Sequence, residues 1–286
     1  MGAKLREVKR RIKSVQSTKK ITKAMELIAA SRIVRAERNV RQARPFAQKI
    51  GDVIRDLAAT TERLEHPLLE RHDGPVGLVV VTADRGLAGA YNANVLRLAE
   101  RTRAESGGES ITYAAGRKGI SAFRFRKVPM EAQWSGFSES PSYADARAIA
   151  EKVMADFNEG RISSARLVYT EFTSMFTQQP VAVEVLPVSA EAVEGGREYP
   201  PVYEFEPGPR EILEHLLPMY VEVKVFQALL ESAASEHAAR RRSMSSATEN
   251  AEDLIRFYTR VANQARQAEI TTEIADIVGG AEALRK

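Results

Sequence analysis

The chain contains no cysteine, which excludes a disulfide, a thiolate metal site and a cysteine nucleophile. It has no run of 18 apolar residues, so no helix long enough to span a bilayer is expected. Its four histidines lack the spacing of metal ligands, and neither a G-x-S-x-G elbow nor a phosphate-binding loop with its Lys and Ser/Thr occurs. We therefore expect no catalytic residue, no cofactor and no metal, and a mechanical role rather than an enzymatic one.

Glycine and proline are both absent from residues 3–44, so one uninterrupted helix is allowed there. Apolar residues recur in this stretch at spacings of three and four, at Leu5, Val8, Ile12 and Val15. Such a helix is roughly 60 Å long, and it is unstable in water unless its apolar stripe packs on a partner. Residues 218–283 form the only other stretch of comparable length, and Gly279-Gly280 is expected to end it.

Acidic residues are scarce in the first helix. Residues 1–44 carry 14 Lys and Arg against three Glu, a net charge of +11; the whole chain carries +4, which leaves −7 for the remainder. No aromatic residue precedes Phe46, which argues against a nucleic-acid arm, and the narrow apolar stripe argues against a membrane-surface helix. Two interpretations remain: a solvated face of an ordinary coiled coil, or a shaft that passes through an acidic protein ring.

The middle of the chain has the pattern of an α/β domain. Short apolar segments predict strands at 76–82, 111–116, 128–134, 165–172 and 180–188, and helical segments alternate with the first four. We expect a Rossmann-like domain with a mostly parallel sheet and a final hairpin. The predicted organisation is a coiled-coil helix at 1–65, the α/β domain at 75–208 and a second coiled-coil helix at 209–286. The two helices are predicted to pair antiparallel.

Helix rise predicts how the two long helices align. If Leu57 lies level with Pro209, Leu5 lies level with about residue 261; if Pro45 lies level with Pro218, Leu5 lies level with about residue 258. In both cases the last 20 or so residues of the second helix form an overhang of roughly 30 Å. This overhang is still amphipathic, with apolar residues on one face. An apolar stripe on a lone helix favours burial by another protein.

The segment DRGLAG, residues 84–89, follows a predicted buried strand and opens a helix, where a phosphate-binding loop would lie. It matches neither the dinucleotide fingerprint nor the phosphate-loop pattern, so a ligand-free turn is the better interpretation.

Three segments resemble the gamma subunit of bacterial F-type ATP synthases: IKSVQSTKKITKAMELIAASR, VTADRGLAGAYNANV and QARQAEITTEIADIVGGAEAL. The resemblance implies a non-catalytic rotor shaft that couples proton-driven rotation to ATP synthesis. The implied partners are the alpha and beta subunits of the surrounding ring, the epsilon subunit and the membrane ring of c subunits, with no nucleic acid. The implied location is the cytoplasmic face of the bacterial cell membrane, as a peripheral protein.

The same resemblance assigns roles to individual residues. The implied beta-subunit contacts are Lys9, Arg10, Lys13, Lys23, Met25, Arg266 and Gln267. The implied upper bearing, where the ring holds the end of the shaft, is Ile270, Ile274, Ile277 and Val278. The implied contacts to the c ring and epsilon are Tyr203, Glu204 and Phe205. The Arg240-Arg241-Arg242 run departs from the family, whose corresponding segment is richer in methionine. The competing function is a coiled-coil scaffold or nucleic-acid-binding protein that carries a ligand-free α/β domain.

Overall fold

The computed structural model describes residues 3–60, 66–70, 72–107, 109–188 and 208–283. Within these ranges the helices are α1 (Ala3–Thr60), α2 (Tyr91–Glu105), α3 (Arg117–Phe125), α4 (Tyr143–Asn158) and α5 (Pro209–Ala283), with a short 3-10 helix at Pro67–Leu69. The strands are β1 (Val76–Val81), β2 (Ser110–Ala115), β3 (Ala132–Trp134), β4 (Ser164–Phe172) and β5 (Gln178–Leu186). None of the helices in these ranges is apolar enough over a sufficient length to cross a membrane.

Both long helices contain residues that usually interrupt a helix. α1 continues through Pro45, and α5 continues through Pro218. The prediction that Gly279-Gly280 ends the second helix is wrong, because α5 extends to Ala283. A glycine inside a helix costs only about 1 kcal/mol relative to alanine, so two of them weaken the last turns without stopping them.

The five strands form one sheet in the order β3-β2-β1-β4-β5. The neighbours β3-β2, β2-β1 and β1-β4 are parallel, and β5 pairs antiparallel with β4 as the predicted hairpin. β1 lies between β2 and β4 and is buried along almost its whole length, which explains why all its residues but Gly77 are Val or Leu. The predicted strand at 128–134 is shorter than expected, since only Ala132–Trp134 pairs with β2.

Helices cover both faces of the sheet. Alternate β1 residues point to opposite sides, so Leu78 and Val80 pack with α2 and α3. Val79 and Val81 pack with α4 and with apolar residues of α1 and α5, among them Ile54 and Leu217. The long helices therefore contribute to the core of the α/β domain itself.

The chain divides into two compact units, residues 1–29 with 241–286, and residues 30–240. In the first unit, Leu5 and Val8 form an apolar cluster with Ala262, next to Tyr258 and Val261. The predicted alignment of Leu5 with about residue 258–261 is thus confirmed. Further along, the hydroxyls of Thr22 and Thr248 are 2.8 Å apart. Leu5 contacts Ala262, whereas Thr22, later in α1, contacts Thr248, earlier in α5. The two helices therefore pair antiparallel.

In the second unit, α1 and α5 also pack on each other. Ile33 and Val40 form an apolar cluster with Leu230 and Ala238. The Arg44 guanidinium lies 3.6 Å from the buried Glu231 carboxylate. The fold class predicted from the sequence, long paired terminal helices with a Rossmann-like α/β domain between them, is confirmed.

Candidate functional site

The basic residues of α1 form an exposed surface. Lys9, Arg10 and Lys13 are all exposed, and Lys23 is exposed while it pairs with Glu26 at 3.1 Å. An exposed ion pair contributes only about 0–1 kcal/mol, so these charges do little for the fold itself. Their arrangement is suited to binding an acidic partner.

Met25 is half-buried, so it belongs neither to the core nor fully to the surface. Arg11, which lies beside the predicted contacts, is partly held by its own unit. Its guanidinium bonds the Glu7 carboxylate at 2.7 Å and lies 5.9 Å from the centre of the Tyr258 ring. These interactions raise the pKa of Arg11, with Tyr258 as the larger cause and Glu7 next. Arg11 therefore remains a permanent cation at this end of the unit.

An open cleft of about 540 Å³ lies where α1 begins beside α5. It brings together three of the residues singled out from the sequence, namely Lys9, Arg266 and Ile270. The rest of its lining is Leu5, Ala262, Asn263, Glu269 and Glu273. Gln267 is exposed nearby on α5.

The other residues predicted to form the upper bearing lie beyond this cleft on α5. Ile274 is 57% exposed, Ile277 72% and Val278 59%, and every residue from 271 to 281 is exposed. The apolar stripe of the predicted overhang is therefore uncovered within its own unit. Tyr203, Glu204 and Phe205 lie outside the described residues.

The DRGLAG turn is organised by Asp84. One Asp84 carboxylate oxygen accepts hydrogen bonds from the backbone N–H groups of Gly136 and Ser138, at 2.8 and 3.0 Å. The other accepts from the backbone N–H of Arg117, at 3.0 Å, where α3 begins. Asp84 thus occupies the backbone donors that an anionic ligand would use. Leu87, with a φ of 64°, completes the tight turn.

Sequence reasoning missed the role of the Arg240-Arg241-Arg242 run. Arg240 is buried and pairs with Glu236 at 2.6 Å, whereas Arg241 and Arg242 are exposed. The spacing of four between Glu236 and Arg240 is the one signal in the sequence that points to this pair. Among the described residues no group of three or more His, Cys, Asp or Glu is placed to hold a metal ion.

Comparison with known proteins decides between the two functions left open by the sequence. A family model described as ATP synthase matches residues 4–284. The ATP synthase gamma chain of Acidothermus cellulolyticus is 50% identical, over 99% of this chain and 98% of that protein. The gamma chain of Frankia casuarinae is 52% identical, over 99% of each. The chain belongs to the ATP synthase gamma-chain family.

Solved structures support the gamma-chain fold. A rotor chain of the Euglena gracilis mitochondrial ATP synthase superposes with a TM-score of 0.68 at 17% identity, covering 94% of this chain and 100% of that chain. A chain of the same synthase in another rotational state gives 0.70 at 16% identity, covering 99% and 95%. As a gamma chain, the protein is the central-stalk subunit of an F-type ATP synthase and is not catalytic by itself.

Proposed function

We propose that this gamma chain is the rotating shaft of a proton-driven bacterial ATP synthase. Rotation of the c ring turns the α/β domain, and the paired ends of α1 and α5 push the catalytic beta subunits through their conformations in turn. The observation that carries this proposal is the family match over residues 4–284, which includes both long helices and the α/β domain. The complex is proposed to sit at the cytoplasmic face of the cell membrane.

The proposed beta-subunit contacts are the basic surface and the cleft. The exposed cations Lys9, Arg10, Lys13 and Lys23, with Met25 beside them, face the beta subunits as the shaft turns. A rotating shaft meets successive subunits at different angles, and long flexible cations satisfy carboxylates without one fixed geometry. Arg266 and Gln267 add contacts at the cleft.

The proposed bearing is the exposed apolar stripe at the end of α5. Ile270, Ile274, Ile277 and Val278 are seated in the upper part of the alpha–beta ring, which buries them. At the other end, Tyr203, Glu204 and Phe205 are proposed to contact the c ring and epsilon. The proposed domains are a coiled-coil helix at 1–65, the α/β domain at 75–208 and a second coiled-coil helix at 209–286.

Charge reversal tests the role of the basic surface. Lys9, Arg10, Arg11 and Lys13 are changed to Glu together, and ATP synthesis by the assembled complex is measured in energised vesicles. We expect single changes to be mild, since each exposed pair is worth about 0–1 kcal/mol. The fourfold reversal is expected to impair synthesis strongly.

The matched control reverses four cations in the other compact unit, Arg97, Arg101, Arg103 and Arg124. It should leave synthesis near the wild-type level while circular dichroism of both variants shows intact helix. Unchanged synthesis in the α1 variant would mean that its charge serves only as a solvated coiled-coil face.

A further inference from the structure

The DRGLAG turn has no ligand role in the proposed function, yet it is tied to α5 by a buried arginine. Arg240 is 6% exposed, and its Nε and Nη2 both donate to the Gly86 carbonyl oxygen at 3.3 Å. The same guanidinium bonds the Glu236 carboxylate at 2.6 Å. Its Nη1 lies 3.5 Å from a Glu139 carboxylate oxygen. One side chain of α5 therefore holds the turn after β1 and the loop after β3.

These two segments are also joined to each other. Asp84 accepts from the backbone of Gly136 and Ser138, and its own N–H donates to the Ser138 hydroxyl at 2.9 Å. Asp84 also accepts from Arg117 at the start of α3. The DRGLAG turn, the loop after β3 and the first turn of α3 are therefore connected by hydrogen bonds into one network. Arg240 contacts this network twice, at Gly86 in the turn and at Glu139 in the loop.

The network extends to α1 through Glu139. Its carboxylate pairs with Arg32 of α1 and lies 3.7 Å from the guanidinium of Arg85. The Glu139 carbonyl oxygen is 3.2 Å from Nε2 of the buried His237 on α5. All of these residues belong to the compact unit formed by residues 30–240.

The chemistry of this cluster differs from that of the apolar packing around it. Apolar contacts are non-directional, and helices that pack through them can undergo small shear movements. A buried guanidinium has its donors in a rigid planar fork, so it fixes orientation as well as distance. Burial raises the pKa of Glu236, and its Arg240 partner opposes that rise.

We propose that Arg240, Glu236, Glu139 and the DRGLAG turn form the joint that transmits twist between the α/β domain and α5. Arg240 acts as a positioning residue: it holds the orientation of α5 on the domain and contacts no nucleotide. The proposal rests on the proposed rotor function, in which the α/β domain receives the rotation and the long helices deliver it. Without the joint, the domain turns and α5 lags behind it.

The first test removes the buried ion pair without leaving an unpaired charge. Arg240→Met with Glu236→Gln keeps both side-chain stems, and inverted membrane vesicles give proton pumping and ATP hydrolysis on the same sample. We expect ATP hydrolysis to be retained and most of the pumping per ATP to be lost. Arg242→Met with Glu249→Gln, two exposed positions on the same helix, should pump like wild type.

A second test does not depend on how well that variant folds. The chain has no cysteine, and a Cβ at Gly86 would meet only ordinary van der Waals contacts, 3.6 Å from Lys118 Cε. Gly86→Cys with Arg240→Cys is assembled into the complex and measured before and after a short bismaleimide joins the two thiols. The covalent bridge should restore pumping per ATP that the unbridged form has lost.

The wild-type complex treated with the same reagent is the control. Equal pumping per ATP in the double variant and wild type would overturn the joint. Equal pumping per ATP by the assembled double variant with and without the bridge would overturn it as well. If the wild-type complex itself did not couple hydrolysis to pumping, the proposed rotor function would fail instead.

Discussion

At the scale of single residues, Glu231 shows how a buried acid responds to its surroundings. It is 1% exposed on α5, accepts a hydrogen bond from Gln227 at 3.0 Å and has the Arg44 guanidinium 3.6 Å away. Burial raises the pKa of Glu231, and Gln227 and Arg44 oppose that rise without cancelling it. The folded chain therefore holds the Glu231 proton to a higher pH than the unfolded chain does.

This shift predicts a pH dependence of stability. The contribution of Glu231 is fully present below its unfolded pKa of about 4.3 and is lost as pH rises through the higher pKa of the folded state. Stability measured by urea unfolding should thus fall with rising pH in that window, by no more than about 1.4 kcal/mol per pH unit for one proton. Glu231→Gln should remove this part of the slope.

Glu214→Gln, at an exposed position of α5, is the control and should leave the slope unchanged. Identical pH profiles for wild type and Glu231→Gln would contradict the assignment of a raised pKa to Glu231.

At the scale of secondary-structure elements, a buried pair of hydroxyls lies between α1 and α5 in the unit formed by residues 1–29 and 241–286. Thr22 and Thr248 are 8% and 7% exposed, and their Oγ1 atoms are 2.8 Å apart. Lys19 and Glu252 form an ion pair beside them at 2.8 Å. A polar layer in an otherwise apolar seam favours the one register in which its groups meet.

We expect Thr22→Val to lower the free energy of unfolding by about 1 kcal/mol, because the Thr248 hydroxyl loses its partner across the seam. Thr248→Val should have a similar effect, and the double variant should lose less than the sum of the two. A urea-unfolding double-mutant cycle measures this coupling.

Thr18→Val serves as the matched control. Thr18 is exposed on the same helix and bonds only the Ser14 carbonyl oxygen of its own helix, at 3.2 Å. Its replacement should change stability by less than about 0.5 kcal/mol. Strictly additive effects in the Thr22–Thr248 cycle would mean that the two hydroxyls do not interact.

At the scale of the whole molecule, the end of α5 predicts how the free chain differs from the assembled one. Residues 271–281 are all exposed, although Ile274 and Ile277 lie on one apolar face. A helix end that packs on nothing opens easily, and proteases cut such segments. Thermolysin, which cuts before large apolar residues, should therefore cleave the isolated chain first at Ile274, Ile277 or Val278, and much more slowly in the assembled synthase.

Ile274→Asp with Ile277→Asp should weaken the seating of the shaft in the ring and leave unfolding of the α/β domain unchanged. Thr272→Asp with Gly279→Asp adds the same charge on the opposite face and should seat normally. Equal protection of this segment in the free and assembled chains would contradict the proposed bearing.

Much of this architecture follows from local sequence. The spacing of Leu5, Val8 and Ile12 encodes a helix because side chains three and four apart share one face. The Val-rich run of β1 encodes a strand buried on both sides. Even the level of Leu5 beside Val261 could be predicted, since helix rise is constant at about 1.5 Å per residue.

Other features were decided only by the tertiary structure. In Arg240-Arg241-Arg242 the residue type is the same at all three positions, and only the packing of α5 on the α/β domain determines that Arg240 is buried. Thr22 meets Thr248 across 226 residues of sequence, and Arg240 meets Gly86 across 154. No local pattern encodes such contacts, because each depends on two surfaces that come together only when the chain folds. The periodicity of apolar residues thus determined the helices and strands of this protein. Long-range packing determined which polar groups are buried between them.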